Sequence, residues 1–176
     1  MKSNAGDSLW DRPPILVLGL GNSLLGDDGL GPTLIEQFLR DLEGWREAGR
    51  WKDRIEFLDG GTQGLALLGH LSDREAIIIV DAVAMGAPPG TTRLLNVSEV
   101  FQMGVKAAGS CHEGNASELL AVAEVLDELP DRVFVVGVEP EKIATGYGLS
   151  EPVRRALPIV ANRVRELLSE LSCPSQ

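Results

Sequence analysis

Two short apolar runs constrain the fold of this chain more than any other feature of its sequence. They are Ile15–Leu20 (ILVLGL) and Ala76–Ala82 (AIIIVDA), and the second is rich in β-branched side chains. A continuous apolar run of this length is typical of a strand that is covered on both faces. We therefore expect both runs to lie inside a sheet with a layer of helices on each side.

The rest of the chain alternates between further strand patterns and amphipathic helices. Strands are predicted at 55–59, 91–97 and Arg132–Val138. The strand at 91–97 follows Ala76–Ala82 after a turn too short for a helical crossover, so it should be antiparallel to one neighbour. This order predicts a three-layer α/β sandwich, in which a mixed, mostly parallel sheet of about five strands has helices on both faces.

Sequence signals also indicate where helices begin and which side they bury. The first helix should bury Leu34, Ile35, Phe38, Leu39 and Leu42. Thr62 should cap a short helix and Ser150 a long last one. Ser110 and Glu113 form an S-x-x-E capping box, and the helix that follows should turn five residues inward: Ala116, Leu119, Leu120, Ala123 and Leu126.

Length and charge exclude several classes of protein. The 176 residues suffice for one ordinary domain, which we expect at 15–172 after a flexible N-terminal arm at 1–14. Lys and Arg total 16 against 26 Asp and Glu, a net charge of −10, which argues against binding nucleic acid or an anionic membrane surface. Two cysteines, no signal region and no apolar run of roughly 20 residues predict a cytoplasmic protein.

Polar residues follow the predicted strands at the points where the strands end. In open α/β sheets, ligands bind beyond the carboxyl ends of the parallel strands. The residues at this edge are Asn22, Asp27, Asp28, Asp59, Thr62, Gln63, Asp81 and His112. Several carboxylates and one imidazole at a single edge predict a metal site.

Each of these residues also has an ordinary structural explanation. His112 falls in the first turn of a helix, where the helix dipole lowers the pKa of an imidazole and favours the neutral, metal-binding form. A histidine there can equally satisfy a backbone group. Asp28 can simply stabilise the start of a helix, and Asp59 and Asp81 can simply shape turns. Their shared position at one edge of the sheet is what favours a site.

Other catalytic and nucleotide-binding motifs are incomplete in this sequence or absent from it. The segment after the first strand has G-x-G, but Leu24 stands where a dinucleotide-binding fingerprint needs its third glycine. Neither a P-loop nor a G-x-S-x-G nucleophile motif occurs. Cys111 and His112 are adjacent, and neighbouring residues on a helix point apart, so they do not form a nucleophilic pair.

At the level of motifs, the chain resembles the [NiFe]-hydrogenase maturation endopeptidases. The combination of G-N-x-L-x-x-D-D, D-G-G-T and a single helix-opening histidine carries this resemblance. The matching segments cover nearly the whole chain in the family's order: 15–31, 58–71, 76–83 with PPGTTRL after it, 110–126 and 133–141.

The resemblance implies a cytoplasmic peptidase that removes the C-terminal extension of a hydrogenase large-subunit precursor after nickel insertion. The nickel then belongs to the substrate, and other divalent cations are expected to occupy the same site in vitro. The implied metal-contacting and catalytic residues are Asp28, Asp81 and His112. Asp28 is often glutamate in relatives and is one methylene shorter here. The implied substrate-positioning segment consists of Asp59, Gly60, Gly61 and Thr62.

Two other functions remain as alternatives. A binding module would recognise the metallated large subunit as a chaperone and leave it uncut. A nucleotide-binding α/β domain would share the predicted fold, although the missing third glycine argues against it.

Overall fold

The computed structural model describes residues 12–47, 54–106 and 116–172 of the chain. Within them lie five strands and five α-helices. The strands are β1 (Ile15–Leu20), β2 (Ile55–Gly61), β3 (Ala76–Ala82), β4 (Thr92–Leu95) and β5 (Arg132–Val138). The helices are α1 (Leu30–Glu47), α2 (Leu68–Leu71), α3 (Val97–Lys106), α4 (Ala116–Val125) and α5 (Glu151–Ser172).

The strands form one mixed sheet in the order β2-β1-β3-β5-β4. Strand β1 is parallel to β2 and β3, β3 is parallel to β5, and β4 is antiparallel to β5. The two apolar runs that led to the fold prediction, β1 and β3, are therefore adjacent central strands. Every residue of β1 is buried, as expected for a strand covered on both faces.

Two hydrophobic cores lie on opposite faces of the sheet. Alternate side chains of β1 enter each core, so that Ile15 and Val17 pack with α1 and α5, whereas Leu16 and Leu18 pack with α2, α3 and α4. This alternation follows from the two-residue period of a strand. The three-layer α/β sandwich predicted from the sequence is confirmed.

Several local predictions differ from the structure. Leu39 and Leu126 are about half exposed, at 48% and 53% of their surface, because Leu39 lies at the margin of the α1 stripe and α4 ends at Val125. The short 3₁₀ turn after β2 has no side-chain cap, so the prediction for Thr62 is wrong. The capping box at Ser110 and Glu113 lies outside the described residues.

Helix α3 has no counterpart in the sequence prediction. Its start is marked by two reciprocal hydrogen bonds, in which the Asn96 N–H donates to Glu99 Oε2 and the Glu99 N–H donates to Asn96 Oδ1, both at 2.9 Å. This is a capping box with asparagine in the first position. The motif N-x-x-E was present in the sequence and could have revealed the helix.

The contact between β1 and α1 depends on a glycine. A Cβ atom added at Gly31 would lie 2.3 Å from the Leu20 carbonyl oxygen and 2.8 Å from that of Val80. The helix axis can therefore approach the ends of β1 and β3 only because residue 31 has no side chain. This approach brings the connection between β1 and α1 to the carboxyl edge of the sheet.

Candidate active site at the carboxyl edge of the sheet

The site lies between β1 and β3, where the chain leaves two neighbouring strands in opposite directions. From β1 it runs through α1 to β2, and from β3 it runs to β4 and β5 on the other side of the sheet. Such a switch in strand order opens a crevice between the two connections. Asp28 and Asp81 occupy its two sides.

Asp28 is held in a 3₁₀ turn, Asp27–Gly29, that links β1 to α1. Its Oδ2 accepts a hydrogen bond from the Asn22 N–H at 2.8 Å, and 8% of the residue is exposed. The turn folds back tightly over Gly21, which has a φ of 121° and where an added Cβ would lie 1.8 Å from the Asp28 carbonyl oxygen. Glycine at this position therefore allows Asp28 to reach the crevice.

Asp81 is the penultimate residue of β3 and is 5% exposed. Its Oδ2 accepts a hydrogen bond from the Ala116 N–H at 3.2 Å. Burial raises the pKa of Asp81 to about 7, against the opposing effect of the Ala116 N–H, and the negative charge of Asp28 contributes to the rise. The two carboxylates are thus close enough to interact electrostatically.

His112, the third member of the predicted site, lies outside the described residues. The first described residue after it is Ala116, which begins α4 and is the residue bonded to Asp81. Within the three described stretches, no group of three His, Cys, Asp or Glu side chains is arranged to hold a metal ion. Two of the three predicted ligands are therefore placed, and the prediction of the complete set stays a prediction.

The D-G-G-T segment extends β2 along the end of β1. Gly61 has a φ of 50°, its N–H donates to Asp59 Oδ1 at 3.0 Å, and its carbonyl accepts the Gly21 N–H at 3.0 Å. Asp59 thereby shapes a turn, and its exposed side chain also lines a cleft of about 290 Å³ beside the 3₁₀ turn. Thr62 is exposed, and Gly60 is buried against Leu18.

Comparisons with known proteins indicate the family of this chain. A family profile described as hydrogenase maturation protease matches residues 42–167. The hydrogenase expression/formation protein HoxM of Azotobacter vinelandii is 36% identical over 160 residues, which cover 90% of this chain and 73% of that protein. The hydrogenase 2 maturation protease of Escherichia coli is 33% identical, with coverage of 89% and 91%.

The chain belongs to the hydrogenase maturation protease family. Solved structures agree with this assignment. The hydrogenase maturating endopeptidase HybD from Escherichia coli superposes with a TM-score of 0.73 at 30% identity, covering 90% of this chain and 93% of that one. A solution structure of an endopeptidase from Escherichia coli gives a TM-score of 0.76 at 32% identity, with the same coverage. Membership of this family implies peptidase activity on a hydrogenase precursor.

Two further carboxylates of this maturation protease lie near the site: Asp27, which was one of the candidate residues at the carboxyl edge, and Glu139, which was not a candidate. Asp27 is completely buried, and its oxygens accept four hydrogen bonds from the connection between β5 and α5. Burial by itself raises a carboxyl pKa, but these bonds outweigh it and hold the pKa of Asp27 below its usual value. No periodicity distinguishes Asp27 from Asp28 in the sequence, and only the turn decides that they face opposite ways.

Glu139 performs a similar task on the other side of the crevice. It follows β5, is 8% exposed, and its Oε2 accepts the N–H groups of Met85 and Ala87 at 2.6 and 3.1 Å. These bonds hold the connection between β3 and β4 against the end of β5. The backbone that leaves Asp81 is thereby fixed. The only feature of the sequence that pointed to Glu139 was its position directly after a predicted strand.

Among the described residues, no helix is both long enough and apolar enough to cross a lipid bilayer.

Proposed function

We propose that this chain is the endopeptidase that removes the C-terminal extension of a [NiFe]-hydrogenase large-subunit precursor after nickel has been inserted. In this proposal Asp28, Asp81 and His112 recognise the nickel that the substrate carries. The observation that supports it most directly is the pairing of two buried carboxylates, Asp28 and Asp81, at the switch point of the sheet.

The electrostatics of this pair favour a cation. Burial raises the pKa of Asp81, and the negative charge of Asp28 adds to the rise, so two ionised carboxylates are disfavoured in this crevice. A divalent ion between them would relieve that repulsion and favour the ionised form of both. The site thus gains binding energy only when a cation is presented to it, which suits an enzyme that must distinguish a nickel-loaded precursor from an empty one.

Position along the chain supports the inclusion of His112. It precedes Ala116 by four residues, and four residues span at most about 14 Å. Since the Ala116 N–H contacts Asp81 directly, an imidazole at position 112 has the reach to join the two carboxylates. Two oxygen ligands and one nitrogen ligand leave coordination positions for groups of the substrate.

The chemistry that such a site can support is hydrolysis of a peptide bond near the nickel. A metal ion polarises a carbonyl or lowers the pKa of a bound water, which then adds to the carbonyl carbon. The C–N bond breaks, and the leaving amine takes up the proton that the attacking water gives up. We propose that Asp28 and Asp81 orient the metal and the water, with the segment from Asp59 to Thr62 positioning the substrate.

The test is the mass of a nickel-loaded precursor after incubation with the purified protein. The expected result is loss of one C-terminal peptide with the wild type and none with Asp28→Asn or His112→Ala. Asp127→Asn is the matched control, because Asp127 is exposed and has a φ of 59°, a conformation that asparagine adopts readily. Full cleavage by both site variants would remove this site, and a precursor that is bound but never shortened would favour a chaperone.

A further inference from the structure

The β5–α5 loop, residues 139–150, is attached to the turn that carries Asp28 by a single buried side chain. Asp27 Oδ2 accepts the N–H groups of Glu141 and Lys142 at 2.8 and 3.1 Å and the Ser150 hydroxyl at 2.9 Å. Its Oδ1 accepts the Ser150 N–H at 2.6 Å. One carboxylate therefore fixes both ends of the segment between Glu141 and Ser150.

Backbone contacts continue this attachment along the loop. The Gly26 N–H donates to the Gly146 carbonyl and the Gly146 N–H donates to the Leu24 carbonyl, both at 3.0 Å. A further bridge joins Gly26 to Ile143. The β5–α5 loop and the segment before Asp27 thus form a small paired unit beside the 3₁₀ turn that carries Asp28.

This paired unit carries two large side chains that face solvent. Tyr147 is 86% exposed and Leu24 is 57% exposed, and the backbone bond between Gly146 and Leu24 holds them on neighbouring segments. Tyr147 also lines the cleft of about 290 Å³ that has Asp59 and Gly29 in its wall. Exposed aromatic and aliphatic side chains beside a cleft are typical of binding surfaces.

We propose that Asp27 is a positioning residue that fixes the β5–α5 loop, so that Tyr147 and Leu24 form a binding surface for the precursor segment leading to the cleaved bond. This inference rests on the proposed function and adds to it a residue and a surface. The surface adjoins the proposed site, because the cleft that Tyr147 lines also has Asp59 and Gly29, the residue after Asp28, in its wall.

The functional experiment measures steady-state cleavage of a nickel-loaded large-subunit precursor. Asp27→Asn replaces one acceptor oxygen with an NH₂ group, so at least one backbone N–H of the loop loses its acceptor and the loop should be held less firmly. The expected result is a KM raised about tenfold with a kcat, per folded molecule, within about twofold of the wild type, since a lost binding contact acts on KM. Tyr147→Ala should raise KM in the same way, and the double variant should add little to the larger single effect.

A structural measurement tests the link between Asp27 and the loop without any substrate. Hydrogen–deuterium exchange of peptides covering 139–150 should accelerate in Asp27→Asn and stay unchanged in Tyr147→Ala. If Asp27→Asn does not fold, Ser150→Ala removes only the hydroxyl donor and should give a smaller change in the same direction. Val125→Ala, at a position 84% exposed on α4, is the control that should alter neither exchange nor KM.

The outcomes distinguish a failure of the proposed function from a failure of the inference about Asp27. Failure of the wild type to shorten the precursor would refute the proposed function, and this inference with it. Normal cleavage by the wild type combined with an unchanged KM in Asp27→Asn or Tyr147→Ala would refute the inference alone. An Asp27→Asn variant that lowers only the active fraction would show that Asp27 has a purely structural role, and unchanged loop exchange in that variant would refute the link between Asp27 and the loop.

Discussion

The carboxylate of Asp81 accepts the backbone N–H of Ala116 at 3.2 Å, although the two residues are 35 positions apart. This bond ties the carboxyl end of β3 to the first described residue of α4. It fixes one carboxylate of the site and the start of the helix that follows His112 in the chain. The geometry of the proposed nickel-recognition site therefore depends on it.

Replacing Asp81 with asparagine should stabilise the protein, increasingly so as the pH rises. The carboxyl group ionises near pH 4 in the unfolded chain but near pH 7 in the folded protein. Between these values the folded state binds more protons, so its free energy of unfolding falls as the pH increases. The stability advantage of Asp81→Asn over the wild type should grow by about 3 kcal/mol between pH 5 and pH 8. Urea unfolding at both pH values measures it, and an advantage independent of pH would contradict the assignment.

Divalent cations should bind the purified protein through the same carboxylates. We expect Ni²⁺ or Zn²⁺ to raise the melting temperature of the wild type, because an ion that binds only the folded state stabilises it by mass action. Asp28→Asn should weaken this binding by about tenfold or more, since it removes one charge from an incompletely hydrated site. Calorimetric titration measures the affinity, with Asp127→Asn as the control. Equal affinity in all three proteins would place the cation elsewhere.

Gly31→Ala should destabilise the fold, because its Cβ would overlap the carbonyl oxygens of Leu20 and Val80. We expect a loss of about 1–3 kcal/mol in the free energy of unfolding, as for other overpacked sites. Gly69→Ala is the matched control. Gly69 lies in α2 with no atom within 4 Å of an added Cβ, so this change should be neutral or slightly stabilising.

The cap of α3 should contribute measurably to stability. Asn96→Ala removes the side-chain acceptor for the Glu99 N–H, and loss of such a cap typically costs about 1 kcal/mol. Ser98→Ala, two residues further along the same helix start, should change the free energy of unfolding much less. Chemical denaturation of both variants tests this, and equal effects would mean that Asn96 does not act as a cap.

The sequence determined the sheet and the members of the site that follow from strand ends. The runs of β1 and β3 are apolar enough to be placed inside a sheet without other information, and the aspartates that follow them had to lie at one edge once the strands were parallel. The same reasoning named His112, which the motif resemblance also implies and whose position lies outside the described residues.

The tertiary structure alone decided what each neighbouring carboxylate does. Asp27 and Asp28 are consecutive and chemically identical, yet one accepts four hydrogen bonds from a loop more than a hundred residues away and the other faces Asp81 across the crevice. The raised pKa of Asp81 likewise results from burial and a neighbouring charge. Orientation, burial and long-range contact depend on how distant segments pack, and no local pattern of residues encodes them.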